Sequence, residues 1–407
     1  MSDLKPFRGL RPPPELARKV ACPPYDVVTT EEARAYAKGN PQSFFHISRP
    51  EIGLPRGTDE HSEEVYQLGK RNLEEFRSKK WLVQDAEPRF YLYMQRMGRH
   101  VQVGVVAAAS IDEYDQGLIK KHERTRPDKE DDRTRHIEAL GGNDEPVFLT
   151  YRAEPEIDEL IARLIEALPE YDFVTEDEVG HTFWSVPPNQ TANLIRLFRE
   201  VPDLYVADGH HRSAAASRAR VARAKQGLDT GGLDEFLAVI FPDSQMQILD
   251  YNRVVKDLHG FKPVDFLERL RANFMITRAP SPRPEAPHQF GMFLDGTWYR
   301  LAVRAGAVEH STTGVLDVSI LQQNVLGPLL GIGDPRLDKR INFVGGIRGS
   351  EAMEALVRSG EYQVAFCVFP TSIEQVMTIA DAGEIMPPKS TWFEPKLRSG
   401  LVLHLFE

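Results

Sequence analysis

The stretch YVADGHHRSAAASRAR, which begins at Tyr205, constrains the fold more than any other part of the sequence. The apolar residues before Asp208 predict the end of a buried strand, and the alanine-rich segment that follows predicts a helix. Gly209 stands between the two, where a tight turn requires a residue that accepts a positive φ. A strand that passes directly into a long helix indicates an α/β fold.

The polar residues of this junction have the chemistry of an anion site. The first amide groups of a helix have no carbonyl group one turn earlier to bond, and they lie at the positive end of the helix dipole. Asp208 would repel a phosphate, so its expected roles are to hold Mg²⁺, to orient a histidine or to accept a proton. The structural alternative is that Asp208 caps the helix and that the histidines are ordinary surface or core residues. The predicted phosphate contacts are Gly209, His210, His211 and Arg212, the last through a bidentate contact.

A second polar run, KKHERTRPDKEDDRTRHIEAL, begins at Lys120. Such charge runs are typical of a solvated face, which is the alternative here. Phosphoryl transfer, however, needs carboxylates for Mg²⁺ and a base for the attacking hydroxyl, and this run would supply both. Arg126 stands where the second histidine of an HExxH zinc motif would be, so we do not expect a permanent transition metal. A P-loop motif is also absent from the sequence.

A chain of 407 residues exceeds the size at which one core usually stops growing, so two domains or one elaborated domain are expected. Strands and helices alternate without a regular βα repeat, which predicts a mixed sheet. We place the border after Arg253. Residues 1–253 then form an N-terminal α/β region that contains the DGHHR unit, and residues 254–407 form a C-terminal α/β region that packs against it.

Three local patterns predict individual elements. The segment TTEEARAYAKG predicts a helix capped by Thr29 or Thr30 and ended by Gly39. The segment DEHSEEVYQLGKRNLEEFRSKKWL predicts a helix with an apolar stripe of Val65, Leu68, Leu73 and Phe76. The segment RFYLYMQRMGRHVQVGVV predicts a hairpin.

Charge and composition exclude several classes of protein. The formal net charge of −10 and the pI near 5.7 argue against a nucleic-acid binder. Cys22 and Cys367 lie far apart, which excludes a CxxC metal or redox site and fits a reducing compartment. The sequence contains no run of eighteen apolar residues and no signal-peptide core, so we expect a cytoplasmic protein without a membrane partner.

Five segments resemble those of the DUF1015 family. They are ACPPYDVV from Ala21, KHERT from Lys121, DEPVFLTY from Asp144, DGHHR from Asp208 and MPPKSTWFEPKLRSGLV from Met386. The stretch VADGHHRSAA is also similar to the helix start of the ParB/sulfiredoxin superfamily, whose members bind nucleotide phosphates at this junction. The resemblance implies a ParB/sulfiredoxin-like core in a mixed α/β fold, with elaborations before and after it.

The resemblance also implies an activity, because relatives of this family include free L-serine kinases. It implies a small-molecule kinase that uses ATP or ADP and Mg²⁺ to phosphorylate the hydroxyl of a serine-like amino acid. The alternatives are a nucleotide-binding sensor of the ParB type and a nucleotide or phosphate-ester hydrolase. Association of this chain with further copies of itself is left open.

Site roles follow from the same resemblance. The catalytic set is Glu123, as the general base, with His122 and Asp208. The metal carboxylates are Asp132 and Asp208. Further phosphate contacts are Arg133 and Lys389, and the substrate contacts are Asp26, Thr125 and Ser390.

Overall fold

The structure is a computed structural model that describes residues 2–227, 231–279 and 281–406. Its contacts divide the chain into two units: Met1–Met246 with Pro395–Glu407, and Gln247–Glu394. This division differs from the predicted single border after Arg253. The chain leaves the first unit after Met246, and its last segment returns there because its backbone pairs with distant residues of that unit, as at Leu403 and Leu10.

The strands are, in chain order, β1 (Leu4–Lys5), β2 (Leu10–Arg11), β3 (Val83–Gln84), β4 (Tyr91–Met97), β5 (His100–Ser110), β6 (Ile119–Lys120), β7 (Gly142–Asn143), β8 (Val147–Tyr151), β9 (Tyr171–Val174), β10 (Val179–Ser185), β11 (Leu204–Asp208), β12 (Glu235–Pro242), β13 (Ile248–Leu249), β14 (Tyr251–Val255), β15 (Phe274–Arg278), β16 (Gln289–Leu294), β17 (Thr297–Val303), β18 (Ile341–Gly345), β19 (Val364–Val368), β20 (Trp392–Phe393) and β21 (His404–Leu405).

The helices are α1 (Ala17–Val20), α2 (Thr30–Ala37), α3 (Phe45–Ser48), α4 (Glu63–Ser78), α5 (Ile111–Gln116), α6 (Pro127–Leu140), α7 (Pro155–Leu164), α8 (Pro188–Glu200), α9 (His210–Lys225), α10 (Pro263–Leu270), α11 (Asp317–Leu321), α12 (Gly349–Arg358) and α13 (Ile373–Asp381). Short 3-10 helices cover Pro14–Leu16, Tyr25–Val27, Pro50–Gly53, Asp243–Gln245, Ala305–Ala307 and Gly346–Arg348, and a π-helical turn covers Gln322–Leu326.

The first unit is built on a mixed sheet with the strand order β6-β11-β8-β12-β5-β4-β10-β9, and β1 pairs with β5. The pairs β11–β6 and β12–β8 are parallel, and the other pairs are antiparallel. Its core includes Val105, Leu149, Leu194, Phe198 and Ile240, which are buried. The predicted mixed α/β fold is confirmed. The ParB/sulfiredoxin-like core stays a prediction.

The local predictions hold for three elements of the first unit. Thr29 caps α2 in a capping box with Glu32, and α2 ends at Ala37, just before Gly39. α4 is shorter than the predicted segment; it buries Val65, Leu73 and Phe76 as predicted, whereas Leu68 is half-buried. β4 and β5 form the predicted hairpin, with Met97 paired to His100 at its turn.

The helix after the DGHHR turn owes its position to small side chains. Ala215 and Ala219 of α9 are buried in one cluster with Ile137 of α6. An alanine face lets two helices approach closely, because it presents little side-chain volume between them. The approach of α9 to α6 brings the residues just before α6 next to the start of α9.

The second unit contains a sheet with the order β15-β17-β16-β19-β14-β18, in which the pairs are antiparallel. Phe266, Phe274, Phe290, Leu301 and Phe366 lie in its core. Among the described residues of both units, no helix combines the length and the apolar character that crossing a membrane requires.

Candidate functional site

The candidate site lies where β11 passes into α9. Gly209 joins them with φ +101° and ψ 26°, a left-handed conformation that favours glycine. A Cβ atom at this position would lie 3.1 Å from Nε and 3.2 Å from Cζ of Arg212. The N–H of Ser213 donates to the carbonyl of Gly209 at 3.0 Å, so the first turn of α9 begins directly after the glycine. The predicted strand–glycine–helix junction is therefore present.

Gly209→Ala is expected to lower the free energy of unfolding by about 2–3 kcal/mol, from backbone strain and displacement of the guanidinium. Gly117→Ala is the matched control. Gly117 has φ +79° at the end of α5, and a Cβ there would meet nothing within 4 Å. This control should lose only the backbone contribution, about 1–2 kcal/mol. Urea unfolding of both variants measures the difference, and equal losses would show that the close approach of Arg212 contributes nothing.

The two polar clusters found in the sequence meet at this junction. The backbone N–H of His122 donates to Nε2 of His210 at 3.4 Å, and that of Arg126 donates to Nε2 of His211 at 3.1 Å. The rings of His122 and His210 are perpendicular, with centroids 4.5 Å apart. A carboxylate oxygen of Glu123 and a ring nitrogen of each of these two histidines all lie within 4.8 Å of one another. The geometry thus places Glu123 beside the start of α9.

His122 and His210 are neutral side chains at this junction. Both are buried. Burial lowers the pKa of His122 to about 4, although Asp208 and the Val206 backbone act to raise it. Burial, helped by His122, also holds the pKa of His210 well below its ordinary value. Both rings are therefore uncharged near pH 7, and the phosphate contact of His210 and the catalytic role of His122 stay predictions.

Arg212 has partners within the protein. Its side chain is buried and donates to the carbonyl of Pro146. One guanidinium nitrogen, Nη2, lies 3.8 Å from Asp208 Oδ1 and 4.0 Å from Asp26 Oδ2. Arg212 therefore balances these carboxylates, and its bidentate contact with a phosphate stays a prediction. The sequence gives the charge of this residue but not the direction in which it is buried.

Lys396, for which the sequence predicts no role, is the cation that pairs with Asp208. Its Nζ donates to Asp208 Oδ2 at 2.8 Å. Burial opposes the ionisation of Asp208, but Lys396 and then Arg212 outweigh it and hold the pKa of Asp208 below its ordinary range. Asp208 is therefore ionised at neutral pH and does not act as a proton acceptor there. Lys396 belongs to the same family-like segment as Lys389, and that segment was the only signal that could have drawn attention to it.

The segment that carries Lys396 is fastened to the sheet of the first unit. Gln95 Nε2 donates to the Lys396 carbonyl at 2.8 Å, and the N–H of Arg398 donates to the Tyr93 hydroxyl at 3.4 Å. The buried guanidinium of Arg398 forms an ion pair with Asp177. These contacts fix the backbone at Lys396 and directly after it, and so help to position its ammonium group at Asp208.

A buried carboxylate pair lies under the junction, in the predicted segment DEPVFLTY. Glu145 Oε1 accepts from the N–H of Tyr25 at 3.1 Å and from the Ser399 hydroxyl at 2.8 Å. Its Oε2 is buried and has no hydrogen-bond partner within the described residues. A cavity of about 10 Å³ adjoins Glu145, Asp144 and Arg212, enough for about one water molecule. The side chain of Asp26, which adjoins Tyr25, is 39% exposed.

The pKa values of the two carboxyl groups of this pair are shifted in opposite directions. Burial, followed by the charge of Asp144, raises the pKa of Glu145 to about 7, although Arg212 acts to lower it. Burial also acts to raise the pKa of Asp144, but His136, which is 2.9 Å from Asp144 Oδ2, outweighs it and lowers that pKa. Asp144 therefore keeps its charge when the pair binds a proton, and Glu145 is the member that binds it as pH falls through about 7.

Glu145→Gln is expected to flatten the dependence of stability on pH. A carboxyl group with a pKa of about 7 in the folded chain and an ordinary value of 4.5 in the unfolded chain binds more protons when folded. Its contribution to stability is therefore complete below about pH 4.5 and is lost as pH rises through about 7. Glutamine does not titrate, so the variant should gain up to about 3 kcal/mol relative to the native chain between pH 5 and pH 8. Parallel urea-unfolding profiles of the two proteins would contradict the raised pKa.

Asp132 and Arg133 bond to each other and to neighbouring side chains. Asp132 Oδ1 accepts from His61 Nδ1 at 2.9 Å and from the Tyr66 hydroxyl at 2.8 Å, and Oδ2 accepts from Arg133 Nε at 2.8 Å. Burial opposes the ionisation of Asp132, but Arg133 and Tyr66 lower its pKa to about 2. The Arg133 guanidinium lies 4.0 Å from the ring centre of Tyr25. Both side chains are buried in this arrangement, and the metal role of Asp132 and the phosphate role of Arg133 stay predictions.

The remaining predicted residues are placed as follows. Thr125 lies just before α6, and its hydroxyl donates a hydrogen bond to the carboxylate of Glu130 within that helix. Lys389 and Ser390 belong to the second unit. The Lys389 carbonyl accepts from Arg253 Nη2 at 3.0 Å, and the Ser390 hydroxyl donates to the Pro387 carbonyl at 2.6 Å. The ligand-binding roles of Thr125, Lys389 and Ser390 stay predictions.

Comparison with known proteins gives a family and a set of distant structures. A family model described as "Protein of unknown function (DUF1015)" matches residues 4–319. No curated protein matches the sequence. A conserved hypothetical protein from Pyrococcus furiosus is 16% identical, with a TM-score of 0.34, over 73% of this chain and 95% of that chain.

Two further solved structures are similarly distant. A free serine kinase variant in complex with ADP is 16% identical, with a TM-score of 0.36, over 74% of this chain and 94% of that chain. SbnI with a C-terminal truncation, from Staphylococcus aureus, is 13% identical, with a TM-score of 0.40, over 72% and 85%. Similarities at this level carry no argument about activity.

Proposed function

We propose that this chain, which belongs to the DUF1015 family, is a small-molecule kinase that transfers a phosphoryl group from ATP or ADP to the hydroxyl of a serine-like amino acid. The observation that carries the proposal is the convergence of three groups on the first turn of α9. Lys396 reaches Asp208 at 2.8 Å, and the Glu123 carboxylate lies within 4.8 Å of a ring nitrogen of His210. A cation, an ionised carboxylate and a second carboxylate at a helix start are the parts that phosphoryl transfer requires.

The phosphates of the nucleotide would bind at the amide groups of the first turn of α9, where the helix dipole favours negative charge. Lys396 takes the cationic role that the sequence assigned to Arg212. A lysine ammonium group has three donors, so Lys396 can keep its bond to Asp208 and still donate to a phosphate oxygen. Arg212 acts behind the site, where it balances Asp208 and Asp26.

Glu123 would act as the general base. The acceptor hydroxyl oxygen forms a bond to the terminal phosphorus, and the bond between that phosphorus and the bridging oxygen of the nucleotide breaks, with its electron pair going to the nucleotide. The hydroxyl proton passes to the Glu123 carboxylate. Asp26, which is exposed and lies near Arg212, would bind the ammonium group of the acceptor.

Mg²⁺ fits Asp208 better than Asp132. Mg²⁺ usually keeps several waters and is held by one or two carboxylates together with phosphate oxygens. Asp208 Oδ1 has Arg212 at 3.8 Å, which is beyond hydrogen-bond distance, and the Asp208 side chain is 28% exposed. When bound, the ion would neutralise charge on the transferring phosphate. Asp132 is enclosed by His61, Tyr66 and Arg133, so we do not propose it as a ligand of the ion.

The test is a transfer assay with ATP or ADP labelled in the terminal phosphate, Mg²⁺ and a panel of hydroxylated amino acids. The expected result is label on L-serine or a close homologue and none with L-alanine, which lacks the hydroxyl. Release of free phosphate without an acceptor product would make the chain a hydrolase, and calorimetric binding of nucleotide without turnover would make it a sensor. Either result would overturn the proposal.

A further inference from the structure

We infer that His122, Glu123 and His210 form a binding site for a divalent transition-metal ion of the Zn²⁺ class. One potential ligand atom from each residue lies within 4.8 Å of the other two. In tetrahedral coordination at about 2.1 Å, two ligand atoms of one Zn²⁺ lie about 3.4 Å apart. Binding therefore requires the widest pair to close by up to about 1.4 Å, which side-chain rotations supply. If Nε2 is the ligand atom of His210, the metal also replaces the 3.4 Å hydrogen bond that this atom accepts from the His122 N–H.

A second, independent observation concerns His122 alone. Its side chain is only 1% exposed, and neither ring nitrogen makes a hydrogen bond of normal geometry within the described residues. Buried polar atoms are almost always paired in folded proteins, and an orphaned one calls for an explanation such as a bound ion or water. A metal ion bound to one ring nitrogen of His122 would give that atom the partner it lacks. The nearby Val206 backbone is the candidate partner of the other, because metal-bound imidazoles commonly donate their second N–H to a carbonyl.

The donor set selects the class of metal. Two neutral imidazoles and one carboxylate are ligands that suit Zn²⁺, Fe²⁺, Co²⁺ and related ions, whereas Mg²⁺ and Ca²⁺ prefer oxygen ligands alone. Three protein ligands leave at least one coordination position open, as in catalytic and regulatory zinc sites. Two charged groups influence the histidines: Asp208, which favours a cation, and Lys121, which opposes it.

Sequence spacing could not show this site. The missing second histidine of HExxH at Arg126 argued against a transition metal. The structure brings the second histidine from another element, because the packing of α9 on α6 places His210 against His122. The site is therefore assembled by tertiary contacts rather than by residues one helical turn apart.

The site would have a consequence for activity that rests on the proposed function. A metal-bound Glu123 cannot accept a proton, so Zn²⁺ would inhibit transfer that Mg²⁺ supports. Metal binding itself does not depend on that function.

The experiment uses Co²⁺ as the probe, because its visible absorption reports nitrogen and oxygen coordination. Co²⁺ is titrated into the full chain after removal of metals with a chelator and without nucleotide, and Zn²⁺ is then added as a competitor. The expected result is one saturable Co²⁺ site per chain, displaced by Zn²⁺, with affinity lowered at least about tenfold in His122→Gln, Glu123→Gln and His210→Gln. His61→Gln is the matched control, since His61 lies outside the cluster beside Asp132, and it should bind like the native chain.

Two results would overturn the inference: no saturable binding by the native chain, or binding that none of the three substitutions weakens. Circular dichroism identifies the variants that fold. Glu123 is only partly buried, so Glu123→Gln keeps the test decisive where a histidine variant does not fold. The assay contains no nucleotide or acceptor, so its failure leaves the transfer assay intact, and a failed transfer assay leaves the metal site intact.

Discussion

Glu123→Gln is expected to reduce phosphoryl transfer by about 10²–10⁴-fold while nucleotide affinity stays within about threefold. Glutamine has the shape of glutamate but cannot accept the hydroxyl proton. Transfer from labelled ATP or ADP to the acceptor measures the rate, and calorimetric titration with the nucleotide measures affinity. Glu138→Gln is the control, because Glu138 is exposed on α6 and should retain full activity.

Two outcomes separate the base from a structural role. If Glu123→Gln kept more than about a tenth of the native rate, Glu123 would not be the general base. If affinity and rate fell together by the same factor, the carboxylate would contribute to binding rather than to proton transfer.

Arg212→Met is expected to have the largest effect on stability, a loss of about 3–5 kcal/mol in the free energy of unfolding. The buried guanidinium lies near Asp26 and Asp208, and its charge also reaches Glu145. Its removal leaves the buried Glu145 and the half-buried Asp208 with one fewer cation, and it removes the donor to the Pro146 carbonyl. Urea unfolding at pH 7 measures the loss.

The control for Arg212 comes from the same helix. Arg218 is 43% exposed and pairs with Glu130 and Asp131 at the surface. Arg218→Met should cost no more than about 1 kcal/mol, because exposed ion pairs contribute little. Similar losses in the two variants would mean that Arg212 does not balance the acidic groups beneath the junction.

The sequence predicts those features that depend on neighbouring residues. The β11–Gly209–α9 junction follows from an apolar run, a glycine and a helix-forming segment. The capping box at Thr29 and the hairpin of β4 and β5 likewise follow from local patterns.

The direction in which a polar side chain is buried does not follow from local patterns. The predicted phosphate ligand Arg212 faces Pro146 and two carboxylates because β8 lies beside β11. The predicted Mg²⁺ ligand Asp132 is enclosed because α6 packs against α4, where Tyr66 lies. Pro146 and Tyr66 each lie 66 positions from the side chain they bond, so sequence spacing contains no record of these contacts.

Lys396 shows the same limit at longer range. It reaches Asp208 because the last segment of the chain returns to the first unit and bonds to Gln95 and Tyr93. The predicted border after Arg253 assigned that segment to the other region. The family-like segment that begins at Met386 contains both Lys389 and Lys396. Only the backbone contacts of the folded chain show that Lys396, and not Lys389, reaches Asp208.

Hydrogen exchange of the backbone amides over residues 208–213, with and without ADP, tests the central claim most directly. If nucleotide phosphates bind at the first turn of α9 beside Lys396, ADP will slow exchange in this segment of the native chain, and Lys396→Met will show much less protection at the same ADP concentration. Calorimetric binding of ADP with unchanged exchange over these residues would contradict the account.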